Sequence, residues 1–103
     1  MLTSDKITPV VGMGTTIVMF SDRFPAQVVR VSKSGKTCWI REVLSKIVSG
    51  SEQDGSATYE YGDVDPTSTE IKVYKSKAGS WRVSGRGNTV WLGKQRRYYD
   101  PHF

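Results

Sequence analysis

The sequence predicts an all-β domain. Three observations carry that expectation: seven short runs rich in β-branched and aromatic residues, turn-forming Gly, Pro, Asn and Asp between them, and alternation such as Ile71 and Val73 against Lys72 and Tyr74. With 103 residues, 37% of them hydrophobic, the chain is long enough for a single domain spanning residues 1–103. A chain of this size buries roughly two-thirds of its unfolded surface. That suffices for one modest core but not for a deep cofactor cleft beside it, which excludes the large enzyme folds.

The runs follow in order. Residues 1–11 are expected as a flexible lead-in, and Gly12 and Gly14 turn the chain into a first strand, Thr15 to Phe20. Ser21 to Pro25 reads as a loop whose proline pre-sets an extended start to the second strand, Ala26 to Ser32. Ser32-Lys33-Ser34-Gly35-Lys36 supplies a glycine for a positive-φ position, so the second run should form a hairpin with the third, Thr37 to Val43. A second pattern competes there. Trp39, Ile40, Val43, Leu44, Ile47 and Val48 recur as adjacent pairs every four residues and Gly50 follows, as in an amphipathic helix ended by glycine. Both readings stay open: a strand to at least Arg41, and a short helical turn near Leu44 to Val48.

Residues 49–57 (SGSEQDGSA) are too polar and glycine-rich to pack and are expected as a mobile loop. Strand candidates then fall at Thr58 to Tyr61, Glu70 to Ser76, Trp81 to Ser84 and Thr89 to Gly93. They are separated by Asp65-Pro66, Lys77-Ala78-Gly79 and Gly85-Arg86-Gly87-Asn88. The expected fold is a small SH3-like or related partly open antiparallel barrel of five to seven strands, with at most that short helical turn.

Charge is unevenly distributed. The net charge is +5 and the pI near 9.5, a balance that favours polyanionic partners. Residues 1–51 carry +4, residues 52–70 carry −6 with no base, and residues 71–103 carry +7 with Asp100 the one acid. A single cysteine, Cys38, makes no internal disulfide, and a reducing, intracellular setting is expected. The longest uncharged stretch, Ile7 to Ser21, is too short and too interrupted by Pro9, Gly12 and Gly14 to span a bilayer. The first six residues carry Asp5 beside Lys6 and do not resemble a secretory signal. No membrane association is expected.

Several motifs mimic chemistry. Gly35-Lys36-Thr37 resembles the end of a phosphate-binding loop, but Arg30 stands where the first glycine is required and no helix follows. Gly12-Met13-Gly14 lacks the rest of a dinucleotide fingerprint, since Ile17 occupies its last glycine position. Cys38 and His102 would make a nucleophile and base only if folding joined them, and a lone cysteine between Thr37 and Trp39 reads better as a small buried hydrophobe. Asp63-x-Asp65 and Asp100-x-His102 offer too few metal ligands and suit turns. No catalytic residue, cofactor or metal is expected, and the chain is not read as an enzyme.

The C-terminal third differs in kind. Lys72, Trp81, Arg82, Arg86, Trp91, Lys94, Arg96 and Arg97, with Tyr98 and Tyr99, mix cations with flat rings. This combination lets a β surface follow a phosphate backbone while bases stack on aromatics. Against it, both tryptophans suit a core, and the bases suit a role in balancing the acidic segment. Tyr98, Tyr99 and Phe103 place three rings within six residues and predict a docked C-terminal tail.

Ser21-Asp22-Arg23-x-Pro25, Ser34-Gly35-Lys36-Thr37 after a valine-rich strand, Tyr59-x-Tyr61 before Asp65-Pro66, Gly79-x-Trp81, and the ending from Leu92-Gly93 to Tyr98-Tyr99-Asp100 and Phe103 form a pattern. Over residues 12–103 it resembles small proteins of tailed bacteriophages and prophages. The resemblance implies strands around residues 37–43 and 58–61 and a place in the host cytoplasm or on the virion, and it assigns no site residues. Two functions are therefore expected as alternatives: an accessory protein binding nucleic acid through the basic, aromatic third, or a protein-binding module that modulates a host protein or joins virion assembly through strand edges and the acidic loop.

Overall fold

All regular structure in the described part of the chain is β. The computed structural model describes residues 8–98, with strands β1 (Gly14–Met19), β2 (Asp22–Val31), β3 (Thr37–Ser49), β4 (Thr58–Val64), β5 (Ile71–Lys75), β6 (Trp81–Val83) and β7 (Thr89–Leu92). Each of the seven sequence runs is one of these strands. All pairings are antiparallel, in the order β2-β1-β7-β6-β5-β3-β4. An additional β2–β3 pairing joins the two ends of the run from β2 to β3. Six strands therefore close on themselves instead of leaving the partly open sheet expected, and closure leaves fewer unpaired backbone groups.

Inside the ring, period-two alternation sends Ala26 and Val28, Cys38 and Ile40, Trp81 and Val83, and Val90 and Leu92 to one core with Ile17 and Val73. Bulges punctuate the pattern. Val28 opposes Ile40 but Arg30 opposes Trp39, so Val29 is the extra residue.

β3, at 13 residues, is nearly twice the length expected and covers the segment of disputed periodicity. Thr37 to Ile40 pair with β5 and residues 38–42 with β2, whereas residues 43–49 leave the ring and pair only with β4. This two-stranded arm contributes to a molecule 41 Å long and 27 Å across. The helical turn expected near Leu44 to Val48 is thus a strand. Ile47 opposes Tyr59 and Ser49 opposes Thr58, which makes Val48 a bulge residue and sets two apolar side chains side by side. A helix there would have needed a surface to cover its apolar stripe; Leu44, Ile47 and Val48 are instead 51%, 43% and 55% exposed. Of residues 49–57, expected as a loop, Ser49 belongs to β3, and residues 50–57 form a turn closed by the Ser56 amide on the Ser51 carbonyl and capped by Asp54 on Ser56. Gly50 holds φ +75 there, and a Cβ would meet the Ser56 carbonyl oxygen at 2.2 Å.

The loop expected at Ser21 to Pro25 shrinks to a two-residue turn, Phe20-Ser21, with Met19 opposite Asp22. Phe20 adopts φ 55, the one positive value on a non-glycine residue among those described, a conformation that costs on the order of 1–3 kcal/mol. Pro25 lies buried inside β2 opposite Thr16. Arg23, two residues earlier, sends its N–H away from β1 to the Tyr98 carbonyl, and the β3 ladder begins only at Ala26. The donor that Pro25 lacks therefore leaves no ladder bond unmade.

Candidate nucleic-acid interface

The segment after β7 runs back across β1 and β2 and brings the basic residues there with it. Gly93 donates its amide to the Gly14 carbonyl at 2.7 Å, and Thr16 donates its hydroxyl to the Lys94 carbonyl. Gln95 reaches the Ala26 carbonyl at 3.0 Å and passes so close over Gly14 that a Cβ there would meet Gln95 Cγ at 2.7 Å. Arg23 and Tyr98 then exchange two backbone hydrogen bonds, of 2.9 and 3.0 Å. The tail docks as far as Tyr98, through these backbone bonds and not through the ring packing expected, since the Tyr98 side chain is 37% exposed; Tyr99, His102 and Phe103 lie outside the described residues.

This path builds a recess of about 340 Å³ lined by Ser21, Arg23, Trp91, Lys94, Arg96 and Tyr98. Trp91, half-buried on β7, is its centre: the Arg23 guanidinium lies 5.1 Å and the Lys94 ammonium 5.9 Å from the ring centroid. Arg23 is further fixed by donating to the Phe20 and Asp22 carbonyls at 3.2 and 2.9 Å. The aromatic face holds these cations at defined positions while their heads stay in contact with water.

Of the eight basic or aromatic residues that the sequence groups together, Trp91, Lys94 and Arg96 meet here and five do not. Trp81 is 1% exposed in the core and has no face for a base; β6 carries it inward with Val83. Arg82 donates to the Gly87 carbonyl at 2.9 Å and secures the β6–β7 turn. Lys72 and Arg86 lie at a separate cavity of about 540 Å³ at one end of the ring, where Glu42 and Glu70 share the rim and Ile17, Met19, Phe24, Ile71 and Val83 line the interior. The acids there cancel a positive field. Arg97 turns the other way. Its backbone amide donates to Tyr61 Oη at 2.8 Å and its guanidinium lies 5.9 Å from the Tyr59 ring, in a cavity shared with Glu52 and Asp65. Burial, together with the neighbouring Glu52 carboxylate, pushes the Tyr59 phenol up to about 12, so it stays protonated.

Sequence reasoning missed Arg23, placed in a loop and far from the C-terminal third. Only the closure of β1 against β2 and β7 joins them. It also missed the Arg30 guanidinium, 3.9 Å from the Trp39 ring and 2.9 Å from the Glu70 carboxylate, a pair that ties β2 to β3 and to the start of β5.

The chemical decoys resolve as structure. Gly35 turns the β2–β3 hairpin at φ +73 with its amide on the Ser32 carbonyl, Cys38 is wholly buried with its thiol pushed up to about 11 by burial, and Asp65 accepts from the Thr67 amide and hydroxyl in a turn. No group of three metal-ligating side chains gathers among the described residues, and they form no helix long and apolar enough to cross a membrane. No protein-family model, curated protein or solved structure matches this chain.

Proposed function

We propose that this chain is a phage- or prophage-encoded accessory protein, an SH3-like small barrel in kind, that binds nucleic acid at the recess around Trp91. One observation carries the reading: Arg23, Lys94 and Arg96, from opposite ends of the sequence, converge on one cavity with two aromatic residues and no acidic side chain in its lining. Three cations around flat rings supply both the phosphate contacts and the stacking surfaces that such binding uses. The test is fluorescence anisotropy against single- and double-stranded DNA and RNA over a range of salt. The unchanged chain should bind at about 50 mM salt with micromolar affinity. Lys94→Ala combined with Arg96→Ala should flatten the logarithmic salt slope by about 1–2 and leave the melting temperature within a few degrees. Binding that is insensitive to salt, or none at ten-micromolar protein, roughly where non-specific binders register, would overturn it.

The alternative, a protein-binding module, draws on the β3–β4 arm, where Leu44, Ile47 and Val48 are each exposed on a strand extending beyond the ring. A partner that stays bound after nuclease treatment and is lost on Leu44→Ser with Ile47→Ser would favour that reading.

A further inference from the structure

We propose that Phe20 is a stacking platform for an unpaired base, so that the recess selects single-stranded over duplex nucleic acid. This deepens the nucleic-acid reading and rests on it. The first central position of a two-residue hairpin turn with positive φ normally belongs to glycine. Phe20 holds it at φ 55 with 86% of its surface exposed. The ring adds nothing to the core and imposes strain on the backbone, so folding alone would favour glycine. A bulky residue held in that conformation at the surface points to contact with something outside the chain.

Its position identifies the contact. Phe20 precedes Ser21, which lines the recess, and its carbonyl accepts from Arg23 at 3.2 Å, the same Arg23 whose guanidinium lies over Trp91. The uncovered ring therefore belongs to a residue joined through its backbone to two residues of the recess lining, Ser21 and Arg23. Trp91 already has Arg23 and Lys94 near its ring and serves to hold them; of the other two rings, Tyr98 in the lining is 37% exposed and Phe20 86%, so Phe20 offers a base the larger face. In a duplex, base faces are covered by their neighbours and only their edges reach the grooves, whereas a single strand presents the faces.

The experiment pairs affinity with stability. Labelled oligo-dT of roughly a dozen nucleotides, the matching duplex and vesicles of mixed phosphatidylserine and phosphatidylcholine are titrated with the unchanged chain, Phe20→Gly and Phe20→Leu. Phe20→Gly should melt roughly 2–6 °C higher, because glycine relieves the positive φ, yet bind the oligonucleotide at least about fivefold more weakly. Its salt slope should be unchanged, since no phosphate contact is removed. Phe20→Leu, apolar but without a π face, should lose affinity to a similar degree. Equal affinity of all three chains for the oligonucleotide would overturn the role of Phe20 and leave the recess intact as a binding site. Duplex bound as tightly as single strand would overturn the selectivity. Failure of the unchanged chain to bind either nucleic acid would overturn both this proposal and the reading beneath it, and vesicle binding lost in Phe20→Gly in its place would assign the ring to a lipid surface.

Discussion

Single side chains in this protein are fixed more by the ring they face into than by their chemistry. Cys38 is the plainest case: flanked in sequence by Thr37 and Trp39, it points inward with Ile40, and its burial raises the thiol to about 11, so it is neither a nucleophile nor a ready oxidation site. Its contribution is volume. Cys38→Ala should cost about 1 kcal/mol for a small cavity, while Cys38→Ser, which keeps the volume but buries a hydroxyl, should cost about 1–3 kcal/mol. Both should leave binding at the recess unchanged. Urea denaturation of the two variants checks the order; a serine variant as stable as the unchanged chain would mean that the hydroxyl finds a partner in the core. The identity of Cys38 as a small hydrophobe was readable from its neighbours. Which tryptophan faces out was not, because Trp81 and Trp91 both sit in short alternating runs, and only the pairing of β6 and β7, with Trp81 opposite Val90, assigns them to different sides.

At the level of elements, the seven strands were legible because each combines β-branched or aromatic residues with a turn signal at its end. What the sequence concealed was bulges and connections. The bulge at Val48 sets Ile47 and Val48 side by side, one of the adjacent apolar pairs that imitate a helical period, and the short Phe20-Ser21 turn was hidden by a proline tolerated inside β2. The connection between β4 and β5 was equally opaque, since its main anchor lies 27 residues away from Ser68 in sequence. Arg41 donates to the Ser68 carbonyl at 2.7 and 3.2 Å and to the Asp65 and Pro66 carbonyls at 3.3 and 3.4 Å, and the Asp65 amide returns a bond to Glu42. One guanidinium thus satisfies three carbonyls of an irregular segment. Arg41→Lys, which keeps the charge but loses the planar fork, should recover only part of the stability lost in Arg41→Ala, itself about 1.5–3 kcal/mol. Equal melting temperatures for all three chains would show that the segment is held by its own Asp65 turn.

Across the whole molecule, the charge blocks of the sequence become places. The acidic residues 52–70 form the end of the arm, β4 and the connection after it, while the basic last third is divided by the ring into a recess around Trp91, an acid-balanced cavity at one end of the ring and structural ties. The positive stretch was visible in composition, but its division was not, because neighbours such as Arg96 and Arg97 part to opposite sides only when the tail docks. That docking makes the recess depend on the fold closing as a unit: residues 95–98 are tied to β2 through Gln95 and the Arg23–Tyr98 pair, and to β4 through the Arg97–Tyr61 bond. Two truncations separate these contacts from whatever follows. A chain ending at Tyr98 retains every contact described, so a chain ending at Lys94 should be less stable than it by about 2–4 kcal/mol, at roughly 1 kcal/mol for each of four hydrogen bonds less the entropy of ordering the segment. On a domain of this size the melting temperature should fall by at least about 10 °C. The shorter chain should also lose oligonucleotide affinity beyond the removal of Arg96, because Arg23 would no longer be held by its bridge to Tyr98. Equal melting of the two truncations, measured by circular dichroism, would show that β1 and β2 close without the tail and that the recess is an appendage to the ring.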